Sequence, residues 1–355
     1  MHTLHIFNPS HDEALAANLR RYTPARAARL LEEDLAALPA LWAAADDFIL
    51  CPNGKREGEK ALNARLIASP SWNEIDRIEP WGWNLSLKDR LLRLGCPMHL
   101  LPSDEQLAAT RNLSSRRTSE LVLNALQPSE DEGMVGEAHC AESVDEVEKW
   151  QEERGEIVVK APWSSSGRGI IMCEGPLSEA ITNRIRAIIR KQGFVEMEPL
   201  YNKGSDFAME FEYTNGELIY KGLSLFATNS LGAYSGNIIA EEQNLLTRLP
   251  HALHPAIETA RRHLQNVLPA LLTDKYEGPL GVDMMIINHA GRQFLHPCVE
   301  VNLRRTMGHV SVALRRLLPS ASSSLLYRVR ARGYAEDSRE TVLAIEGERF
   351  VAEVY

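Results

Sequence analysis

Two acids and one amide in the last third of the chain have the types and spacing of a divalent-cation site. Glu300 and Asn302 are two residues apart in an apolar run, so on a strand their side chains share one face. Asp283 lies in an earlier apolar run that could pair with this strand as a hairpin. Three oxygen ligands on a rigid sheet suit Mg²⁺, which keeps several waters and bridges phosphate oxygens. The alternative is a structural salt bridge between Glu300 and an arginine, because a buried carboxylate needs a partner.

A lysine followed by small residues has the pattern of a phosphate-binding loop. Lys160 ends the apolar run that begins at Ile157, and the loop after it contains Ser164 to Gly169. Small residues let successive backbone N–H groups converge on an anion, and the lysine adds a positive charge. The apolar run from Ile170 indicates a second strand, whereas the Gly-Lys-Ser/Thr end of a P-loop opens a helix. A plain hairpin is the alternative.

A third candidate is an apolar strand that ends in acids and a proline. It runs from Phe194 to Pro199, and Asp206 follows a few residues later. A strand that stops at a proline leaves backbone donors and acceptors that can bind an adenine edge, while a nearby carboxylate can take two ribose hydroxyls. Two solvated acids beside a turn are the alternative, since acids at strand ends are usually surface residues.

Two polar segments are candidates for contacting a substrate. The stretch from Lys221 to Asn237 is rich in hydroxyl and amide groups, which suits an acceptor site and equally a polar hairpin loop. The segment Asn8 to Asp12 follows the first apolar run, a place where open α/β sheets bind ligands. We favour Ser10 or Asp12 as the cap of a helix predicted at Glu13 to Leu19, and His11 is a candidate substrate contact.

The elements that must position these residues begin with an alternation of strands and helices. Short apolar runs predict strands at Leu4 to Phe7, Phe48 to Cys51 and Met98 to Leu101. Helical spacing of apolar residues predicts helices within Pro24 to Ala45, Glu57 to Ile67 and Ser86 to Leu94. This rhythm is typical of a parallel sheet covered by helices, so we expect one α/β domain over residues 1–111.

The pattern changes after Leu113, where strands become more frequent. We predict a domain over residues 112–198 from a helix at Ser115 to Leu126, strands at Glu137 to Cys140 and Ile157 to Val159, and a helix from Ser143 between them. A third domain over residues 199–355 follows from strands at Asp206 to Tyr213, Leu218 to Phe226 and Gly281 to Val301, a helix at His251 to Leu272 and a terminal hairpin turning at Glu346. The sequence His296-Pro297-Cys298 predicts a bulge, since proline cannot donate to a ladder.

Composition narrows the class of protein. The chain has 355 residues, enough for more than one core, and a net charge of -9, which disfavours broad nucleic-acid binding. No stretch reaches the roughly 18 apolar residues of a membrane span. The 5 cysteines lack metal-ligand spacing and indicate reduced thiols without structural zinc. We therefore expect a cytoplasmic protein that binds neither nucleic acid nor membrane.

The order of these motifs resembles the ATP-grasp superfamily, which includes D-alanine–D-alanine ligases and biotin carboxylase. The shared order is a lysine with a small-residue loop, an acidic hinge, a later acid, an Asp, and then Glu-x-Asn-x-Arg, over about residues 112–318. The resemblance implies an α/β fold, α+β in its C-terminal part. It implies an N-terminal Rossmann-like pre-ATP-grasp domain followed by a two-lobed ATP-grasp fold.

The resemblance also implies roles for individual residues. Lys160 would contact the ATP phosphates, and a loop would close over them, formed by Ser164, Ser165, Ser166, Gly167, Arg168 and Gly169. The adenine hinge would be Glu196, Met197, Glu198 and Leu200, with Asp206 as the ribose acid. Magnesium or manganese would bind Asp283, Glu300 and Asn302. The family's second phosphate-binding lysine is replaced by arginine, and of Arg116 and Arg117 the latter is the closer match.

The same resemblance implies a reaction. Such enzymes activate a carboxylate as an acyl phosphate, which an amine or similar nucleophile attacks, so we expect small-molecule carboxylate and amine substrates. The oligomeric state does not follow from the sequence, and a homodimer is one open alternative. Arg304 or Arg305 would face the acyl phosphate as a catalytic residue, because Arg304 falls on the face of Glu300 if the strand continues. The alternatives are a small-molecule kinase on the same fold and an ATP-binding regulatory protein without turnover.

Overall fold

The computed structural model describes residues 1–52, 60–62, 64–164, 169–228, 234–318, 324–332 and 341–355. These residues form two compact units, and each unit is assembled from segments far apart in sequence. The first unit contains Met1–Ala108, Lys221–Leu245 and Arg304–Tyr355, and the second contains Ala109–Tyr220 and Leu246–Leu303. The three consecutive domains that we expect from the sequence stay a prediction.

The beginning of the chain folds as an α/β layer structure. Its elements are β1 (Thr3–Ile6), α1 (His11–Ala17), α2 (Arg26–Asp34), β2 (Phe48–Leu50), β3 (Lys60–Ala61), β4 (Ala64–Ile67), β5 (Arg77–Pro80), α3 (Leu85–Arg93) and α4 (Asp104–Leu113). Short 3₁₀ helices cover Leu38–Leu41, Trp72–Glu74 and Met98–Leu100. The strand order is β3-β4-β2-β1-β5, with β1 parallel to both β2 and β5 and with β2 parallel to β4.

One face of this sheet packs against α3. Leu87 and Leu91 on the helix join Leu4 and Ile6 on β1 in one apolar cluster. The side chain of Asn84 caps α3 by accepting a hydrogen bond from the backbone N–H of Leu87, 2.9 Å away. The predicted helix at Ser86 to Leu94 is therefore confirmed, with its start fixed by the cap.

Two predictions for this region are wrong. The segment Glu57 to Ile67 is not a helix in its described part, because Ala64–Ile67 pairs with β2 and buries alternate residues, Ala64 and Leu66. The parallel sheet edge beside β2 overrides the helical spacing, which is a weak prior. Met98 to Leu101 is not a strand but contains a 3₁₀ turn after Pro97, and Met98 is largely exposed.

The middle of the chain supplies the second unit. Its elements are α5 (Arg117–Leu126), β6 (His139–Ala141), α6 (Val144–Arg154), β7 (Ile157–Lys160), β8 (Ile170–Cys173), α7 (Glu179–Gln192), β9 (Val195–Pro199) and β10 (Lys203–Thr214). Further along the chain, the second unit contains α9 (His254–Leu272), β13 (Gly278–His289) and β14 (Arg292–Asn302). Between β10 and α9 the chain forms β11 (Glu217–Thr228), which begins in the second unit, and then β12 (Tyr234–Ile239) and α8 (Glu242–Leu246), which lie in the first unit up to Leu245. In the second unit one sheet has the order β6-β9-β7-β8, and the strands β14, β13 and β10 are neighbours, in that order, in another sheet.

The end of the chain returns to the first unit. Its elements are α10 (Met307–Leu317), β15 (Leu325–Ala331), β16 (Leu343–Glu346) and β17 (Phe350–Val354). The strand β12 pairs with β15, β15 with β17, and β17 with β16, all antiparallel. The predicted terminal hairpin at Glu346 is therefore confirmed. Among the described residues, no helix combines the length and apolarity needed to cross a membrane.

The hairpin of β13 and β14 contains the predicted bulge. Asp283 pairs with Glu300, but the next register pair is Met285 with His296. One residue of β13 therefore lies opposite a longer stretch of β14 that includes Pro297, whose missing N–H cannot join the ladder. The irregularity ends before Glu300, so Asp283 and Glu300 lie directly opposite each other.

Candidate functional site

A buried cluster of charged side chains lies in the second unit where β7 ends. Glu196 and Glu198 are two residues apart on β9 and face the same side, and Lys160 on β7 lies directly opposite Glu196. Glu196 is 0% exposed, Glu198 3%, Lys160 5% and Arg116 6%. Met197 points the other way into the apolar core beside Val159. Because side chains alternate along a strand, Glu196 and Glu198 both point inward. The alternative of two solvated acids is therefore wrong.

The two glutamates of this cluster differ in protonation. Lys160 forms an ion pair with Glu198, and its Nζ lies 3.5 Å from Oε2 of Glu196. Burial raises the pKa of Glu196 to about 8, and Lys160 opposes that rise only in part. Burial also acts on Glu198, but Lys160, through its charge and its hydrogen bond, is the main cause that holds the pKa of Glu198 below the usual range. At neutral pH the cluster therefore holds one neutral and one ionised glutamate.

Arg116, immediately before α5, joins this cluster to the predicted metal strand. Its Nη2 donates to Oε2 of Glu300 over 2.9 Å, and its Nη1 lies 3.9 Å from Oε2 of Glu196. Its backbone N–H donates to the carbonyl of Pro162, 3.1 Å away. The salt bridge that the sequence left open as an alternative for Glu300 is therefore formed, and its partner is Arg116.

Arg117 lies at the surface, outside this cluster. Its side chain is 44% exposed, its Nη2 donates to Oε1 of Glu142 over 2.9 Å, and its guanidinium lies over the ring of Phe194. The structure thus brings Arg116, and not the sequence-favoured Arg117, into the cluster. A signal was available, because Arg116 precedes the buried residues Ser119 and Leu123 at helical spacing.

The three predicted metal ligands lie together. Asp283 and Glu300 are opposite each other on β13 and β14, and Nδ2 of Asn302 donates to Oδ2 of Asp283 over 3.1 Å. Within the described residues, no three His, Cys, Asp or Glu side chains converge as a metal site. Two carboxylates and an amide suit magnesium, which is usually bound by one or two carboxylates together with substrate phosphates and water.

His296 lies beside the buried cluster, although the sequence predicted it only as part of a bulge. It is fully buried on β14, its ring lies 5.5 Å from that of Tyr201, and neither ring nitrogen has a hydrogen-bond partner in the described residues. Burial lowers the pKa of His296 to about 4, although Glu198 acts to raise it. Gly136 makes room for the ring, since a Cβ there would lie 3.1 Å from Nε2. His296 therefore packs as a neutral imidazole beside the acidic pair.

In the predicted adenine hinge, not every backbone hydrogen-bonding group is available to a ligand. The backbone N–H of Leu200 donates to the carbonyl of Glu156 over 2.8 Å, so this donor is already used within the protein. Asp206 on β10 is 34% exposed and accepts a hydrogen bond from Nζ of Lys203 over 2.7 Å. The expectation of an unbonded backbone after Pro199 is thus not met at Leu200.

The predicted phosphate loop is described only at its two ends. Ala161 donates its N–H to the carbonyl of Gly169 over 2.9 Å, which closes the base of the loop beyond Lys160. Gly169 has φ +83°, and a Cβ there would lie 2.9 Å from that of Ala161, so glycine is required. Ser164 lies at the first end, whereas Ser165, Ser166, Gly167 and Arg168 lie outside the described residues.

The two predicted catalytic arginines belong to the first unit. Because β14 ends at Asn302, the strand does not continue to Arg304. Arg304 donates from Nε and Nη2 to the two carboxylate oxygens of Asp12, both over 2.8 Å. Nη2 of Arg305 lies 3.3 Å from Oε2 of Glu79, and its guanidinium lies over the ring of Trp42. Each arginine is thus anchored by an acid of its own unit.

The segment after β1 differs from its prediction. Ser10 occupies the N-cap position of α1 without a side-chain hydrogen bond to the helix, and Asp12 binds Arg304 instead. The predicted cap is therefore wrong, because a bidentate arginine is a stronger partner for the carboxylate. His11 is buried, its Nδ1 lies 3.2 Å from Nδ2 of Asn84, and burial lowers its pKa to about 4.

The predicted acceptor segment is also described only in part. Nδ2 of Asn237 donates to Oγ of Ser224 over 2.8 Å, and both side chains are fully buried between β11 and β12. Residues 229–233 lie outside the described part of the chain. The described polar groups thus support the local strand pairing.

Comparisons with known proteins were made by sequence and by structure. No protein-family model and no curated protein sequence matches the chain. Biotin carboxylase from Campylobacter jejuni, solved with a β,γ-ATP compound, is 14% identical, with 99% of this chain and 87% of that chain covered and a TM-score of 0.55. The biotin carboxylase domain of Hydrogenobacter thermophilus 2-oxoglutarate carboxylase, solved with MgADP and bicarbonate, is 12% identical, with coverages of 99% and 85% and a TM-score of 0.53.

A further similar structure comes from a different enzyme. N5-carboxyaminoimidazole synthetase from Staphylococcus aureus, solved with ADP, is 12% identical, with 93% of this chain and 82% of that chain covered and a TM-score of 0.50. At these identities the likeness concerns the fold. Together with the parallel sheet of the first unit and the antiparallel sheets of the second, it confirms the predicted α/β architecture. The chain therefore has the fold of the ATP-grasp superfamily.

Proposed function

We propose that the protein is an ATP- and magnesium-dependent ligase that joins a small-molecule carboxylate to an amine. The observation that carries the proposal is the direct pairing of Asp283 with Glu300, which Arg116 links to the buried cluster of Lys160. The acids Asp283 and Glu300 match the charge of a divalent metal, and the cations Arg116 and Lys160 match that of nucleotide phosphates. The fold supports this reading, since the similar structures include carboxylases solved with adenine nucleotides.

Lys160 and Arg116 are the residues that we propose for the phosphates. Both cations are buried and are held by internal acids, so they are positioned before a nucleotide arrives. Phosphate oxygens could replace part of this internal pairing through charge-assisted hydrogen bonds. We assign to Arg116 the role for which the sequence favoured Arg117. Glu196 to Leu200 and Asp206 are kept as the proposed adenine and ribose contacts.

Asp283, Glu300 and Asn302 are the proposed magnesium ligands. The ion would supply neutralisation of the charge that builds on the transferred phosphoryl group. In the described state Arg116 neutralises Glu300, and Asn302 donates to Asp283. These two contacts orient the carboxylates and limit their repulsion across β13 and β14.

The proposed reaction has two steps. A carboxylate oxygen of the substrate attacks the γ-phosphorus, the bond to the bridging oxygen breaks, and ADP leaves. The amine then attacks the acyl carbon, phosphate leaves, and the amine loses a proton. We keep Arg304 and Arg305 as the proposed contacts of the acyl phosphate, where a guanidinium can bind two oxygens at once.

The test is Glu300→Gln in the full chain, with Glu174→Gln as a control on an exposed turn. Glutamine preserves the shape and an acceptor for Arg116 but removes the charge that a metal needs. We expect Glu300→Gln to abolish magnesium-dependent ADP release in the presence of metabolite pools, whereas the control keeps wild-type turnover. Release of ADP and phosphate only with two co-substrates identifies a ligase. A phosphorylated product would replace the ligase by a kinase, and full turnover in Glu300→Gln would remove Glu300 from the site.

A further inference from the structure

The first unit contains a buried histidine that lies between two carboxylates. His5 is on β1, Asp47 comes directly before β2, and Glu79 on β5 pairs in register with His5. Paired residues of neighbouring strands point to the same face of a sheet, so the three side chains meet there. Nε2 of His5 lies 3.0 Å from Oδ2 of Asp47, and Nδ1 of His5 lies 3.6 Å from Oε2 of Glu79. The ring thus faces one carboxylate at each nitrogen.

Asp47 determines which ring nitrogen of His5 carries the hydrogen. Oδ1 of Asp47 accepts a hydrogen bond from the backbone N–H of Thr3 over 2.9 Å, and Oδ2 accepts one from that of Ala44 over 3.0 Å. Burial acts to raise the pKa of Asp47, but the hydrogen bonds from Thr3 and His5 outweigh it and keep that pKa below its ordinary value. An ionised carboxylate has no hydrogen to donate, so the hydrogen of the 3.0 Å contact belongs to Nε2 of His5.

Nδ1 of His5 is therefore the nitrogen that can gain a proton. It carries a lone pair in the neutral ring and has no hydrogen-bond partner among the described residues. Burial lowers the pKa of His5, although Glu79 and Asp47 act to raise it, so the ring is neutral near pH 7. A second proton would give Nδ1 an N–H beside Oε2 of Glu79.

The same oxygen of Glu79 is bound by Arg305. Nη2 of Arg305 donates to Oε2 of Glu79 over 3.3 Å, while Oε1 of that carboxylate pairs with Arg77. The guanidinium of Arg305 lies over the ring of Trp42, and its backbone N–H donates to the carbonyl of Trp81 over 2.8 Å. The oxygen Oε2 is thus the group for which Arg305 and a protonated imidazole compete.

We propose that His5 is a positioning residue for Arg305 and acts on it through Oε2 of Glu79. While His5 is neutral, Oε2 accepts from Arg305 alone, and the guanidinium is held against β5. Protonation of Nδ1 gives Oε2 a second donor and places a positive charge near Arg305, so Nη2 becomes available to an anionic group. The charged groups that face the ring or its partners are Asp47, Glu79, Arg305 and Arg77.

This inference rests on the proposed function in one respect only, namely that the anionic group belongs to a substrate. The coupling between His5, Glu79 and Arg305 is a property of the free protein. It can therefore be tested without nucleotide or substrate.

The first test is a histidine titration of the full chain by NMR. The ring nitrogen shifts of His5 should show the hydrogen on Nε2 at neutral pH. Arg305→Gln removes a nearby positive charge and should raise the pKa of His5 by about one pH unit, whereas Glu79→Gln should lower it by about as much. His99, which is exposed, is the internal control and should titrate identically in all three proteins.

The second test follows the side-chain N–H resonance of Arg305 during the same titration. In the wild type it should shift with the midpoint of His5, because protonation weakens the bond between Nη2 and Oε2. In His5→Gln, which keeps a donor for Asp47 but cannot titrate, this shift should disappear. Arg154, which pairs with Glu137 far from the ring in sequence and in the other unit, is the internal control.

Two kinds of result would overturn the proposal. One is a neutral His5 ring with its hydrogen on Nδ1, or a pKa of His5 that is the same in the wild type, Arg305→Gln and Glu79→Gln. The other is an Arg305 resonance that shifts equally in the wild type and His5→Gln, since another group would then cause the change. Failure of the ligase assignment would appear separately, in the turnover assay with Glu300→Gln.

Discussion

Arg116 donates a hydrogen bond from Nη2 to Oε2 of Glu300 over 2.9 Å, across 184 residues of sequence. The same guanidinium approaches Glu196, so one buried cation serves two acids on different strands. Removing it would take from Glu300 the cation that forms its ion pair, in a site of low exposure. We therefore expect the stability of the buried cluster to depend on Arg116 and not on the exposed Arg117.

The first prediction compares the two neighbouring arginines. Arg116→Gln should lower the free energy of unfolding by about 3–5 kcal/mol, the usual effect of breaking a buried ion pair from one side. Arg117→Gln, which removes an exposed pair with Glu142, should cost about 0–1 kcal/mol. Urea unfolding monitored by circular dichroism measures both. Calorimetry with ATP should show weaker binding only for Arg116→Gln, and equal effects of the two variants would contradict the assignment.

The second prediction concerns pH and Glu196. Burial raises the pKa of Glu196 to about 8 from an ordinary value of 4.5, so between these values the unfolded chain loses a proton that the folded chain keeps. The free energy of unfolding should therefore fall as pH rises from 6.5 to 8, by at most about 1.4 kcal/mol per pH unit, and level off above. Glu196→Gln should remove this slope.

Two buried histidines also make the free energy of unfolding depend on pH below 6.5. Burial lowers the pKa of His11 and of His296 to about 4. Between pH 6.5 and 4 the unfolded chain therefore binds protons that the folded chain does not, so the free energy of unfolding should fall as the pH falls through this range. Urea unfolding at a series of pH values distinguishes the effect of the histidines below pH 6.5 from that of Glu196 between pH 6.5 and 8. A slope between pH 6.5 and 8 that persists unchanged in Glu196→Gln would show that another group causes it.

The third prediction tests the pair formed by Arg304 and Asp12. Each single alanine substitution removes one partner, and the double substitution removes both, so the cycle isolates their coupling. A partly buried bidentate pair should couple by about 1–3 kcal/mol in the free energy of unfolding. If Arg304 also contacts substrate, Arg304→Ala should reduce kcat more than Asp12→Ala does. Identical losses of kcat would limit Arg304 to a structural role.

The fourth prediction compares two glycines. A Cβ at Gly82 would lie 2.6 Å from Nδ1 of His11, so Gly82→Ala should destabilise the protein by about 1–3 kcal/mol through overpacking. Gly175 has no atom within 4 Å of such a Cβ, so Gly175→Ala should change stability by less than about 0.5 kcal/mol. Thermal unfolding of the two variants provides the comparison. A neutral Gly82→Ala would mean that His11 can move aside.

The sequence by itself determined the features that depend on local periodicity. Glu300 and Asn302 share a face because strands repeat every two residues, and Lys160 ends a strand because an apolar run ends there. The order of these motifs was sufficient to predict the ATP-grasp fold.

Tertiary structure decided what depends on packing and register. The rotation of the α5 start places Arg116 inside and Arg117 outside, and the length of the bulge brings Asp283 opposite Glu300. Arg304 meets Asp12 across 292 residues, a distance at which no local pattern carries information. Residues 64–67 became a strand because a sheet edge was available for pairing, since hydrogen bonding and burial against distant residues outweigh the weak propensity of a short segment.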